Sequence, residues 1–192
     1  GITAIYEMRD NAELAKFLVS VFDSLNCFLS GFPEDGACLE GVGYWDYGFG
    51  YFAAFAETLC RRTEGKVNLF ADEKIHRIAT FRQKCLFDGG RCLSFSDAGG
   101  GARPSLSQIS FFGKMYPDFP KPSRAYVSKR FARGGCFRFA LMLRELTRTT
   151  DEVLPEKESE IRGTYLLTDA QWYISTAENG TTFAAKGGNN DE

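Results

Sequence analysis

The segment from Glu34 to Gly48 gathers the side chains best suited to chemistry: Glu40, Tyr44, Trp45, Asp46 and Tyr47, interleaved with Gly36, Gly41, Gly43 and Gly48. Tyr51 follows one helical turn after Tyr47. A tyrosine hydroxyl can donate or accept a proton when a nearby cation or hydrogen bond tunes it. A tryptophan ring can stack on a sugar or fill a core. Glu40 and Asp46 could form a glycosidase pair of acids. Spacing within a loop does not fix their separation in space, however, and hydrogen bonding inside the loop uses the same residue types. Each tyrosine, taken alone, also fits a packed aromatic whose hydroxyl finds a partner.

Other reactive residue types are scattered. His76 is the only histidine and shares a helical stretch with Glu73 and Arg77, near a polar face, which does not favour catalysis. The six cysteines, Cys27, Cys38, Cys60, Cys85, Cys92 and Cys136, form no CxxC pair and, with one histidine, no zinc pattern. A chain this long builds a core without disulfides, so they read mainly as buried thiols.

These side chains need elements to position them. Asp10 to Leu29 predicts a helix with Leu14, Phe17, Leu18, Val21, Leu25, Phe28 and Leu29 on one face, Asp10 as cap and Glu13 three residues on. Phe32 to Gly50 reads as a loop, followed by a helix from Tyr51 to Arg62. Further helices are expected over Asp72 to Arg82, Ser105 to Met115, Ser123 to Arg133 and Cys136 to Leu146. A small hairpin fits Cys85-Leu86-Phe87 and Cys92 to Phe95 around Asp88-Gly89-Gly90-Arg91. The acidic, proline-containing stretch within 151–162 reads as a linker. From Gly163 the period changes to strands: Tyr165 to Leu167, then Trp172 to Ala177 and Thr181 to Ala185 joined at Asn179-Gly180. The expected organisation is therefore helices over 1–150, a linker over 151–162 and the first strands of an antiparallel β domain over 163–192. Two or three strands cannot bury a sheet face alone, so the chain is expected to be part of a longer protein.

Composition bounds the function. A formal net charge of −2 argues against a nucleic-acid binder, and no apolar run predicts a membrane span. The interval from Phe119 to Arg144 nevertheless lacks acids and holds Arg124 and Arg130 among seven basic residues, either a solvated helix face or a surface for an anionic polymer. Nothing at the N-terminus reads as a signal peptide, which leaves the cytoplasm and export both open.

The run from Glu34 to Gly48 resembles the loop of heparinase II/III-like polysaccharide lyases and related alginate lyases that joins two helices of an incomplete α/α toroid and lines the substrate cleft. Arg77 to Phe81 through Ser94-Phe95-Ser96-Asp97-Ala98 is similar to a later toroid segment of the family. Phe183 to Glu192 is similar to the strand end that runs, in the family, into a His-Asn-His-Asn-Asp stretch beyond this chain. The resemblance implies a mainly α fold, an incomplete α/α toroid portion followed by the beginning of an antiparallel β domain. It implies β-elimination on uronic-acid polymers: the sugar carboxylate is neutralised, a base takes the C5 proton and an acid protonates the oxygen leaving C4. Tyr44 is then the first candidate for acid or base and Tyr47 the second, with Glu40, Trp45, Tyr51, Arg124 and Arg130 as substrate contacts. The implied partner is an acidic polysaccharide or oligosaccharide, with no nucleic acid, membrane or cofactor within this chain; a metal in a further part of the β domain fits the family. The chain alone is expected not to turn over. A non-catalytic carbohydrate-binding helical module, or a glycoside hydrolase using Glu40 or Asp46, fits the same residues.

Overall fold

The computed structural model describes residues 1–87, 91–99, 105–123, 143–144, 147–148 and 163–188. Arg124, Arg130, most of the two helices expected between 123 and 146, the tip of the small hairpin and the 151–162 linker lie outside them. The described part is mainly helical, with one small antiparallel sheet.

A short helix absent from the sequence reading, α1 (Ile2–Glu7), comes first. Its Ile5 forms a satellite core with Leu14, Phe55 and Leu59. Helix α2 (Asn11–Ser30) starts where expected: the Asp10 carboxylate accepts the N–H groups of Ala12 and Glu13 at 2.8 and 3.1 Å. Its apolar stripe is shifted slightly from the one read in the sequence. Phe17 is exposed, and Phe22 instead packs edge-on against Phe55, with ring centroids 6.3 Å apart.

The largest departure from expectation is α3, which spans Val42–Arg62. The stretch from Val42 to Gly50 is therefore helix, not loop. Three glycines within it reduce intrinsic propensity by roughly 1 kcal/mol each. Burial of Trp45, Phe49 and Phe52 along one stripe outweighs that cost, and Gly48 lets the Phe28 ring approach the helix backbone. Helix α4 (Glu73–Lys84) is capped by Asp72 and buries Ile75, Ile78, Ala79 and Phe81 as the sequence predicts. A 3-10 turn, Leu69–Ala71, leads into it. Helix α5 (Leu106–Met115) is capped by Ser105 and buries Ile109 and Phe112. Between α4 and α5, Leu86 and Cys92 pair antiparallel, the base of the expected hairpin.

Strands β1 (Thr164–Leu167), β2 (Trp172–Thr176) and β3 (Thr182–Lys186) form a sheet in sequence order. The β2–β3 connection is not the two-residue turn that an Asn-Gly pair suggests. Gly180 donates to the Ala177 carbonyl at 2.9 Å and adopts φ +84°, while Asn179 keeps a negative φ. This is a three-residue loop, a turn closed by one left-handed glycine. Leu166, Tyr173 and Phe183 face outward. Leu167, Trp172 and Ile174 face inward and belong to the same core as α3, α4 and α5.

A carboxylate clasp fixes that contact. Asp35, in the loop between α2 and α3, accepts the N–H groups of Asp169 and Ala170 through Oδ2 at 2.9 and 3.0 Å, and that of Ala37 through Oδ1 at 3.0 Å. Its own N–H returns a 3.2 Å bond to Asp169. Trp172 completes the seat between Phe81 and Phe95, at 5.6 and 5.1 Å between ring centroids. Replacing Asp35 with Ala leaves three N–H groups without their acceptor and is expected to lower the unfolding free energy by ~2–4 kcal/mol. Asp35→Asn should fall between that variant and the parent chain in urea denaturation. A midpoint unchanged in Asp35→Ala would remove the clasp from the stability account.

Candidate functional site

Helix α3 begins at Gly41, where φ is +97° and an added Cβ would lie 2.8 Å from the Phe95 carbonyl. Only glycine fits, because the backbone of the 95–98 turn lies directly on the helix start. Asp97 donates its N–H to the Glu40 carbonyl at 3.2 Å, joining the same two segments again. Within the turn, Ser96 takes the left-handed conformation, φ +54°. Its hydroxyl meets Lys186 Nζ at 3.3 Å, which brings the end of β3 to the same place. Gly187 then closes onto the Gln171 carbonyl at 2.8 Å. Three segments far apart in sequence thus converge: Glu40 and Gly41 at the start of α3, Phe95 to Ala98, and Lys186 at the end of β3.

Tyr44, Tyr47 and Tyr51 line one side of α3, since spacings of three and four bring residues onto one helical face. Tyr44 is 49% exposed and Tyr47 39%. The Tyr47 and Tyr51 rings meet edge-on, 5.4 Å between centroids. Among the described residues, nothing lies within 4 Å of where a Gly43 side chain would begin. At the far end of this ridge lies Arg144. Burial and the neighbouring Arg148 weaken its hold on its proton, while Glu57, Tyr6 and Tyr51 oppose that change. Arg148 itself pairs with Glu57, and its guanidinium lies 4.4 Å from the Phe111 ring centroid. Glu40 is exposed, at the Gly41 end.

Trp45 stands apart from this surface. It is 1% exposed, packs against Phe49 and Phe112, and donates its indole N–H to the Ile78 carbonyl at 2.7 Å. Its ring has no open face for a sugar, and its place is in the core. Asp46 is likewise committed. Both of its carboxylate oxygens bind the Arg82 guanidinium, Nε to Oδ1 at 2.9 Å and Nη2 to Oδ2 at 3.0 Å. Gln108 reaches the Asp46 carbonyl at 3.3 Å, and Arg82 Nη1 lies 3.5 Å from Cys92 Sγ. Burial disfavours the charge on Arg82, and the adjacent Asp46 more than restores it. Asp46 is therefore engaged by Arg82, although part of its side chain still reaches solvent, as does exposed Glu40.

The remaining reactive groups lie elsewhere. His76 stacks on Tyr116, 4.3 Å between centroids, with Nε2 3.2 Å from Asp118 Oδ1, an ion-pair distance without hydrogen-bond alignment. Burial raises the pKa of Cys38 to about 11 and pushes Cys85 and Cys92 up as well. Among the described residues no three His, Cys, Asp or Glu side chains are grouped as metal ligands would be, and no helix is long and apolar enough to cross a membrane.

The sequence reading missed Ser96 and Lys186 as members of the surface. Nothing in their types signals it; only the left-handed turn and the strand register bring them together. It also missed the Asp46–Arg82 pair, for which a signal existed: Arg82 falls on the apolar stripe of α4, and a charge there needs a buried partner. A comparison with protein-family models found no match, and no curated protein matches the sequence.

Asp46→Ala strands the Arg82 charge in the core and should cost ~3–5 kcal/mol in chemical denaturation, whereas Asp46→Leu combined with Arg82→Met should recover most of it. A single-variant cost near zero would contradict the pairing. A second expectation concerns the thiols. In the folded chain at neutral pH, Cys27, which is exposed, should be alkylated ahead of Cys38, Cys85 and Cys92, which burial keeps protonated. Mass mapping of iodoacetamide adducts reads the order directly.

Proposed function

We propose that the surface around Tyr44 is part of the substrate face of a lyase that cleaves uronic-acid-containing polysaccharides by β-elimination, carried on a portion of an incomplete α/α toroid with the beginning of a β domain. One observation supports this reading most. The three stretches that resemble the heparinase II/III-like lyases are scattered along the sequence, yet parts of all three meet at Gly41, Ser96 and Lys186. The meeting point carries exposed Glu40 and Lys186, with exposed Tyr44 one helical turn from Gly41.

In this reading Tyr44 carries the proton step. Its hydroxyl is on an exposed ring at the first turn of α3. Lys186 and Arg144 supply positive charge for an acidic sugar, at the strand end and at the Tyr51 end of the ridge. Trp45 and Asp46 act only by holding α3 in place. Glu40 remains a substrate contact, Tyr47 the second candidate for the proton step, and Tyr51 a substrate contact that extends the aromatic ridge.

A second reading has its own support. Tyr44, Tyr47 and Tyr51 share one side of α3, and the Tyr47 and Tyr51 rings touch, a set of rings that would bind an oligosaccharide without any turnover. Two substitutions at one position separate the readings. Tyr44→Ala should weaken binding of an oligouronate up to about tenfold, the loss of one stacked ring. Tyr44→Phe should leave binding within about twofold, because the ring stays, and should abolish unsaturated product in any longer form of the protein that makes it. Binding should weaken as salt is added and be poorer for carboxyl-reduced oligosaccharide. If calorimetry finds no oligouronate binding, or Tyr44→Ala binds as the parent does, the surface is not a substrate face. Turnover that survives Tyr44→Phe would support a different proton donor, and a product without a 4,5-double bond would support hydrolysis.

A further inference from the structure

The β2–β3 loop carries a chemistry of its own. Asn179 is exposed, and its successor Gly180 has no side chain to shield the backbone nitrogen. Asn179 Oδ1 accepts the Thr181 N–H at 3.0 Å. That bond withdraws electron density from the side-chain carbonyl and holds the amide carbon close to the backbone that follows it. It also aims an N–H donor at the oxygen where negative charge develops if the carbon is attacked.

We propose that Asn179 is a site of spontaneous deamidation, a covalent modification that turns this loop into a mixture of aspartyl and isoaspartyl forms. The Gly180 nitrogen attacks Asn179 Cγ, and the new N–Cγ bond closes a five-membered imide. The Cγ–Nδ2 bond breaks, and the Gly180 amide proton leaves with the departing ammonia. Water then opens the imide at either carbonyl. One opening leaves an ordinary aspartate; the other routes the backbone through the former side chain and adds a methylene to it. Nothing is oxidised or reduced, and water is the sole co-reactant.

One feature of the loop opposes the reaction. The Gly180 N–H donates to the Ala177 carbonyl at 2.9 Å and must be released before its nitrogen can attack. The bond is at an exposed hairpin tip, where local opening costs little compared with global unfolding. The folded chain should therefore react more slowly than the unfolded one, but not be protected.

The rest of the described chain provides internal controls. Asn11 and Asn26 lie in α2. Asn68 accepts the Phe70 N–H at 3.1 Å much as Asn179 accepts that of Thr181, but it is followed by Leu69, whose side chain crowds the attacking nitrogen. Asp35-Gly36 could form the same imide, but the Asp35 carboxylate is clasped to the β1–β2 turn by the N–H groups of Asp169 and Ala170. Its neighbour Gly36 is buried. The Asn179 loop also lies at the Thr176–Thr182 end of the sheet, opposite the Trp172–Lys186 end. Modification there should alter the hairpin tip and leave the Tyr44 surface as it is.

The test is peptide mapping of the folded 192-residue chain during incubation at mildly acidic and mildly alkaline pH, beside a sample kept unfolded in urea. The peptide spanning Asn179 should gain the mass difference between amide and acid and split into two chromatographic forms. One form should accept a methyl group from an isoaspartyl methyltransferase. Conversion should be faster at the alkaline pH, slower folded than unfolded, and absent in Asn179→Gln, whose longer side chain closes a six-membered ring less readily. Asn179→Asp should reproduce the aspartyl form without the isoaspartyl one at early times. The proposal is overturned if Asn11, Asn26 or Asn68 converts before Asn179 in the folded chain. It is equally overturned if Asn179 stays intact when folded over a period that converts it fully when unfolded.

Discussion

Arg82 carries a full positive charge in a place water does not reach, with 1% of its surface exposed. That is tolerable only because Asp46 meets it with both carboxylate oxygens. The consequence is geometric as much as energetic. Asp46 sits between Tyr44 and Tyr47 on α3, and Arg82 lies near the end of α4, so a two-point bond fixes the rotation of α3 about its own axis. The indole bond from Trp45 to the Ile78 carbonyl acts one residue away on the same two helices. With α3 pinned twice on its inner side, the tyrosines on its outer side have a defined direction.

The sheet depends on the same arrangement. Trp172 packs on Phe81, which immediately precedes Arg82, and on Phe95, whose carbonyl abuts Gly41. The Asp35 clasp then ties the β1–β2 turn to the loop before α3. Helices and strands therefore share one core. A three-stranded sheet that could not bury its face unaided gains its inner layer from the helices.

Much of this framework was legible in the sequence because its signals are local. Capping residues Asp10, Asp72 and Ser105 mark helix starts through hydrogen bonds that span two or three residues. The apolar stripe of α4 and the alternation in β2 follow from the periods of helix and strand. The start of α3 was misplaced for a reason of the opposite kind. Glycines at 41, 43, 48 and 50 look like breakers locally, and only the contacts of Trp45, Phe49 and Phe52 with distant rings make a helix the better state. Exposed Phe17 and half-buried Phe22 in α2 show the same limit, since which edge of a stripe is covered depends on the neighbour. The candidate surface divides likewise. Tyr44 and Tyr47 were visible by type and position, whereas Trp45 changed from sugar platform to core. Ser96 and Lys186 could not be found before the chain was folded, because one hydrogen bond spanning ninety residues is what unites them.

Gly41 has one more consequence, which concerns what kinds of sequence change the molecule can absorb. It marks the origin of α3: the Phe95 carbonyl lies too close for any side chain at that position. From that origin each residue turns the helix by about 100°. Substituting a side chain on the tyrosine ridge changes what the ridge presents but leaves its bearing alone. Inserting or deleting a single residue between Gly41 and Tyr44 swings the whole ridge by more than a quarter of a circle, driving tyrosines toward the core and Trp45 toward water. Divergence in this stretch should therefore proceed by replacement, with the count of residues from the glycine held constant.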